Sequence, residues 1–220
     1  MSSLDIFVQT ATISIALLGA GGIATLSVFD LPIIRSQPAD RALPALRWLF
    51  SRGSHVFPTA IGLASIGFAQ LAYASWPAKS SSIAHVLHGP DAGRISGFVT
   101  AAILSSSAAF YTMLFMMPNN FALIEENDKL GGSNGAESAK VRKAQNIQPG
   151  EHSFKESIDG KGSANQWTDL SGPQTKAVLE STPELDERIG KMLAIFQQQN
   201  MIRAAILASG GIVGLATALT

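Results

Sequence analysis

Residues 6–29, IFVQTATISIALLGAGGIATLSVF, run without a charge between Asp5 and Asp30. An α-helix rises about 1.5 Å per residue, so roughly 20 apolar residues cross the hydrocarbon core of a bilayer. This run is long enough. A cleaved signal peptide is the rival reading, and it fits poorly. The residues before the run hold Asp5 and no Lys or Arg, and the run exceeds the usual apolar region of about 7–15 residues.

Outward from this stretch the same pattern recurs. Val56 to Trp76 is uncharged and closed by Pro77, with Tyr73 and Trp76 suited to an aromatic belt at the membrane surface. Ile95 to Pro118 is uncharged and follows Arg94. Ala204 to Leu219 is the shortest run, and Arg203 at its start is placed to snorkel to the interface. The chain therefore reads as all-α, an integral membrane four-helix bundle with its first three helices within residues 1–124. Arg35, Arg41, Arg47 and Arg52, against the single acid Asp40, alternate with Leu43, Leu46, Trp48, Leu49 and Phe50. That pattern predicts a short interfacial helix near residues 39–52.

Residues 125–183 are a different material. Glu, Lys, Ser, Gly, Asn and Gln dominate, and Gly131-Gly132-Ser133-Asn134-Gly135 punctuates them. Their composition predicts a long, flexible, disordered loop between helices 3 and 4. Ser181-Thr182-Pro183-Glu184 then gives a helix-start pattern. Leu185, Ile189, Met192, Leu193 and Phe196 follow at helical spacing. Residues 184–220 thus read as an amphipathic helix continuing into the fourth span.

Only 15% of the residues are charged, against about 25% in a typical soluble domain, and most of these charges lie between Glu125 and Lys191. No basic patch interleaved with aromatics points to nucleic acid. The absence of cysteine excludes disulfides, thiolate zinc sites, iron–sulfur clusters and cysteine-ligated haem. His85 and His88 stand three apart, but Gly89-Pro90 breaks the segment and no carboxylate completes a set, so no metal site is expected. His152 is expected to be solvated. Lys and Arg concentrate in the first and third connections. The positive-inside rule places these, including the long loop, in the cytosol and both termini in a lumen or outside. The expected location is an endomembrane, the ER or a vesicle.

Small residues fill the spans: Gly19, Gly21, Gly22, Gly62, Gly67, Gly210, Gly211 and Gly214. In lipid, small faces let helix backbones approach closely, and Gly210 and Gly214 form a GxxxG pair. The polar residues at the span ends say more. Ser27, His55, Thr112, Asn120, Asn200 and Arg203 all fall toward the cytosolic ends under the topology above. Each has an ordinary explanation: a helix cap for Asn120, an interhelical hydrogen bond for Asn200, a phospholipid contact for Arg203. Their convergence at one level makes them candidate site residues together.

Tyr111-Thr112-Met113-Leu114-Phe115-Met116-Met117-Pro118-Asn119-Asn120 resembles the signature of the anthrone oxygenase family near its third span. Asn200-Met201-Ile202-Arg203-Ala204 resembles that family's opening of the last span, and Gly21-Gly22 followed by Ser27 and Pro32 resembles its first. The resemblance covers the spans and not the polar segment. The chain departs from the family at Phe196, where tryptophan is common, and at Asn119, where threonine is frequent.

The resemblance implies a monooxygenase of fungal polyketide pathways that oxidises an anthrone to an anthraquinone. Molecular oxygen is the co-substrate, and no cofactor is used. Removing a methylene proton gives an enolate spread over aromatic rings, which can meet oxygen directly. The protein then needs a base, charge stabilisation and a dry pocket. On this reading His55 is the base and Arg203, with Asn200, stabilises the enolate oxygen. Thr112, Asn120 and Ser27 bind the substrate. The expected partners are a hydrophobic aromatic small molecule and the lipid bilayer, with homo-oligomerisation or association with pathway enzymes alongside. The competing reading is a non-enzymatic membrane scaffold that holds pathway enzymes through its polar segment.

Overall fold

A computed structural model describes residues 3–76 and 92–220. The connection holding His85 and His88 lies outside the described residues. Those described are helical or irregular, without strands. In chain order the helices are α1 (Ser3–Thr25), α2 (Leu31–Arg35), α3 (Ala39–Ala74), α4 (Ala92–Tyr111), α5 (Met117–Lys129), α6 (Ala136–Ala144), α7 (Phe154–Ile158) and α8 (Pro183–Ala218). Two π-helical turns join α1 to α2 (Leu26–Asp30) and α4 to α5 (Thr112–Met116). Four continuous helical stretches are long and apolar enough to cross a membrane: Ser3–Arg35, Ala39–Ala74, Ala92–Lys129 and Pro183–Ala218. The chain is an integral membrane protein.

The π-helical turns have a local cause. Pro32 and Pro118 each stand at the second position of the helix that follows a turn. A proline lacks an N–H and presses on the carbonyl four residues earlier, which a regular α-helix does not accommodate. Widening the preceding turn by one residue relieves the clash and leaves carbonyls without helical partners.

The chain folds into two compact units, one formed by Met1–Thr25, Val56–Met113 and Asn200–Thr220, the other by Leu26–His55 and Leu114–Gln199. The first is the four-helix core. Ile13, Ala16, Ile23, Ala64, Phe68, Phe98, Ala101, Ala204 and Leu207 form its buried centre. The glycines do what the sequence expects at most positions. A Cβ on Gly214 would meet the ring of Phe68, one on Gly67 the side chain of Thr12, and one on Gly210 the Ala101 carbonyl at 3.1 Å. Gly21 and Gly62 depart from the pattern, since a Cβ on either has nothing within 4 Å.

This contrast gives a paired prediction. Gly214→Ala forces a methyl against a rigid buried ring, and such overpacking costs about 1–3 kcal/mol, more than the ~1 kcal/mol that alanine gains in helix propensity. Its melting temperature in detergent should fall, with Phe68→Leu restoring part of the loss. Gly21→Ala should melt no lower than the parent. Equal behaviour of the two variants would contradict the packing.

The second unit contains the polar segment, and here the structure corrects the sequence reading. Residues 125–183 are not a featureless disordered loop. They carry the end of α5 together with α6, α7 and a well-paired connection. Arg142 donates to Asp128 at 2.5 Å and to the carbonyl of Gly132 at 2.7 Å, with both charged side chains buried. Arg47 of α3, also buried, donates to the Ser157 carbonyl at 2.8 Å. At the start of α7 Ser153 and Glu156 form a capping box. Hydrogen bonds from Lys161 and Ser153 hold the Glu156 carboxyl down at about 2. His152 is buried rather than solvated. Composition measures average polarity, whereas order here comes from specific pairing between particular buried groups.

Two boundaries also move. The interfacial helix expected near 39–52 is the opening of α3, which continues unbroken to Ala74. The last helix starts at Pro183, with the Leu185 N–H donating to the Thr182 hydroxyl at 3.3 Å.

Candidate functional site

Asn200 and Arg203 are one helical turn apart on α8, so their side chains lie over one another on the same face. In the first unit Arg203 donates from Nη2 to the Asn200 carboxamide oxygen at 2.7 Å. Asn200 is fully buried and Arg203 is 9% exposed. The guanidinium carbon sits 5.6 Å from the centre of the Phe57 ring, a cation–π contact. Arg203 Nε and Asn200 Nδ2 are both buried donors with no hydrogen-bond partner among the described residues. Because Asn200 spends its oxygen on the arginine, its N–H₂ is the group left over.

No salt bridge to Arg203 is present among the described residues. The only acid among the described residues of this unit is Asp5. Gly22 of α1 packs on Phe57, the ring beneath Arg203. Asp5 lies seventeen residues back along α1, about 25 Å at the helical rise. A buried cation with no carboxylate partner among the described residues of its unit is costly to maintain and is a functional candidate.

Thr112 belongs to the same unit. Its hydroxyl donates back to the Ala108 carbonyl at 2.8 Å, so it is left with acceptor capacity. Ser27, His55 and Asn120 belong to the second unit. Ser27 is fully buried within the first π-helical turn. The Asn120 carboxamide oxygen is buried without a hydrogen-bond partner among the described residues. His55 packs its ring on Trp167, centroids 4.0 Å apart and tilted by 35°.

Several residues in these surroundings were not singled out by the sequence. Gln197 donates to the Ser27 carbonyl at 2.8 Å and Gln199 to the Phe115 carbonyl at 2.8 Å. Two glutamines of α8 thus donate to carbonyls in both π-helical turns. The run Gln197-Gln198-Gln199 beside Asn200 is the signal that was available. The departures from the family pattern also have places. Asn119 donates to the Met192 carbonyl at 3.1 Å, and Phe196 packs edge-on against Phe50 at 5.0 Å. Among the described residues no group of three or more His, Cys, Asp or Glu is arranged to hold a metal ion.

A family model described as anthrone oxygenase matches residues 47–152. The matched stretch contains His55, Thr112 and Asn120, and lies outside Ser27, Asn200 and Arg203. It supports the family read from the span-end motifs. Comparison with curated proteins and with solved structures found no match.

Proposed function

From the anthrone oxygenase match over residues 47–152, we propose that the chain oxidises an anthrone-type polyketide to an anthraquinone with molecular oxygen and no cofactor. The observation that carries this reading is the Asn200–Arg203 pair. It offers two buried, unspent N–H donors and a positive charge over an aromatic ring. Donors fixed where negative charge develops, in a site sheltered from water, are the strongest single aid to enolate formation.

The reaction balances without a further reductant. The anthrone methylene loses two hydrogens and gains one oxygen atom, and the second atom of O₂ leaves as water. Four electrons pass from carbon to oxygen. In the proposed sequence a base accepts the first methylene proton, and the electrons flow into the ring carbonyl. The resulting enolate oxygen is held by Arg203 Nε and Asn200 Nδ2. The enolate carbon then reacts with O₂. Thr112 of the same unit binds a phenol of the substrate. Thr112 serves there as an acceptor, because its own proton is committed to Ala108.

The test uses membranes carrying the full chain, supplied with emodin anthrone and monitored for emodin and for oxygen uptake. Conversion should exceed that of membranes lacking the chain, stop under nitrogen, and persist after treatment with EDTA. Conversion equal to background autoxidation would favour the scaffold reading, and loss of activity to chelator would overturn the cofactor-free one.

A further inference from the structure

The segment 165–171 of the second unit is fastened along the charged part of α3. Arg52 donates to the Gln166 carbonyl at 2.9 Å, and Trp48 Nε1 donates to the Ser171 carbonyl at 3.0 Å. Asp169 closes the segment from within, accepting from the Ser171 N–H at 2.8 Å. The His55–Trp167 ring contact completes the register. The segment is therefore a fixed feature of the unit.

Yet it holds two large apolar side chains outward. Trp167 is 72% exposed and Leu170 is 97% exposed. Isolated exposed apolar residues need no explanation; two of them, three residues apart on a segment pinned by hydrogen bonds, do. Their height along α3 supplies one. Trp167 packs on His55, which immediately precedes Val56, the first residue of the uncharged run to Trp76. Arg52, one turn earlier, is the last charge before that run. Trp167 thus stands where α3 changes from a charged helix to a lipid-compatible one, the level that tryptophan favours in membrane proteins. Elsewhere in the same unit Val28, Phe29, Ile33, Leu114 and Phe115 are also exposed, on the two π-helical turns and α2, which belong to membrane-spanning stretches. Those residues belong to membrane-spanning stretches, so lipid is the occupant that fits the exposed apolar side chains of this unit.

We propose that residues 165–171 form a membrane-interface anchor, with Trp167 and Leu170 inserted at the boundary between phospholipid headgroups and acyl chains. The polar segment is then bound to the bilayer at a second place besides the spans. The depth at which His55 sits is fixed by the ring packed on it. The inference does not depend on the reaction assigned to the chain.

The chain has no cysteine, so a single introduced thiol reports cleanly. The experiment places a nitroxide label on Leu170→Cys in the full chain, reconstituted in liposomes of phosphatidylcholine and phosphatidylglycerol. Collision with oxygen, which partitions into lipid, is compared with collision with a water-soluble nickel chelate. The controls are Phe115→Cys on a spanning stretch and Lys140→Cys on an exposed charged helix. The oxygen-to-nickel ratio at 170 should be several-fold above that at 140 and approach that at 115. A ratio equal to that at 140 overturns the proposal, and so does shielding from both reagents, which would mark a protein partner instead. Leu170 is almost fully exposed, so its substitution leaves the fold intact. As a second measurement, the fluorescence lost in Trp167→Phe should be the part quenched by lipids brominated near the glycerol backbone.

Discussion

Arg203→Gln is expected to lower kcat/KM for anthrone oxidation by about 10²- to 10³-fold, the usual loss when one donor to a developing oxyanion is removed. Glutamine keeps an amide N–H but loses both the charge and Nε. The loss should fall mainly on kcat, because the enolate carries full negative charge only after the proton has left. Asn200→Ala removes the second donor and also frees the arginine that it positions. Its effect and that of Arg203→Gln should be less than additive, as for groups that act as one unit. Expression level and melting temperature must be followed beside activity. Removing a buried guanidinium that has no carboxylate partner among the described residues of its unit should leave the fold as stable as before, or more so. An Arg203→Gln variant that keeps full rate would remove the basis of the enzyme reading. One that loses rate only in proportion to lost protein would do the same.

The second large effect concerns stability. Asp128→Asn leaves the buried Arg142 cation without its carboxylate, with buried Arg47 also within reach of the lost charge. Breaking a buried pair from one side typically costs about 3–5 kcal/mol, because the remaining charge stays desolvated. The variant should melt well below the parent in detergent. Trypsin should cut it rapidly at the lysines of residues 129–161, where the parent resists. The double change Asp128→Asn with Arg142→Met should recover much of the loss, since no charge is then stranded. Rapid cleavage of the parent itself would show that the segment is loose. The same pair alters how a scaffold is tested. Deleting residues 131–172 would remove Arg142 and expose Asp128, so it would damage the unit as well as any docking function. Point changes at Arg203 discriminate the two readings more cleanly.

The match over residues 47–152 takes in the motif at the end of the third span and neither of the other two. Pro32 and Pro118 are chemically conspicuous, and their effect is local. Each forces a wide turn in a helix whose other residues are helix-compatible. What could not be read from the sequence was the answer to those turns. Gln197 and Gln199 reach the carbonyls of Ser27 and Phe115 across more than eighty residues of chain, and no local propensity encodes such a contact. Trp167 at His55 is similar, as is Phe57 beneath Arg203.

The four runs without charge determined the helices by themselves. A bilayer leaves an apolar stretch no alternative to internal hydrogen bonding, so length and hydropathy suffice. The polar residues at the ends of those runs were equally plain, because charge and amide are rare in such surroundings. The tertiary structure decided the rest. It ordered residues 125–183 through the buried Arg142–Asp128 pair within the segment and the Arg47–Ser157 bond from 110 residues away. It also turned Asn200 so that the oxygen serves Arg203 and the N–H₂ remains to be used. Membrane insertion follows from the average chemistry of a segment, whereas a buried polar network depends on which particular atoms meet.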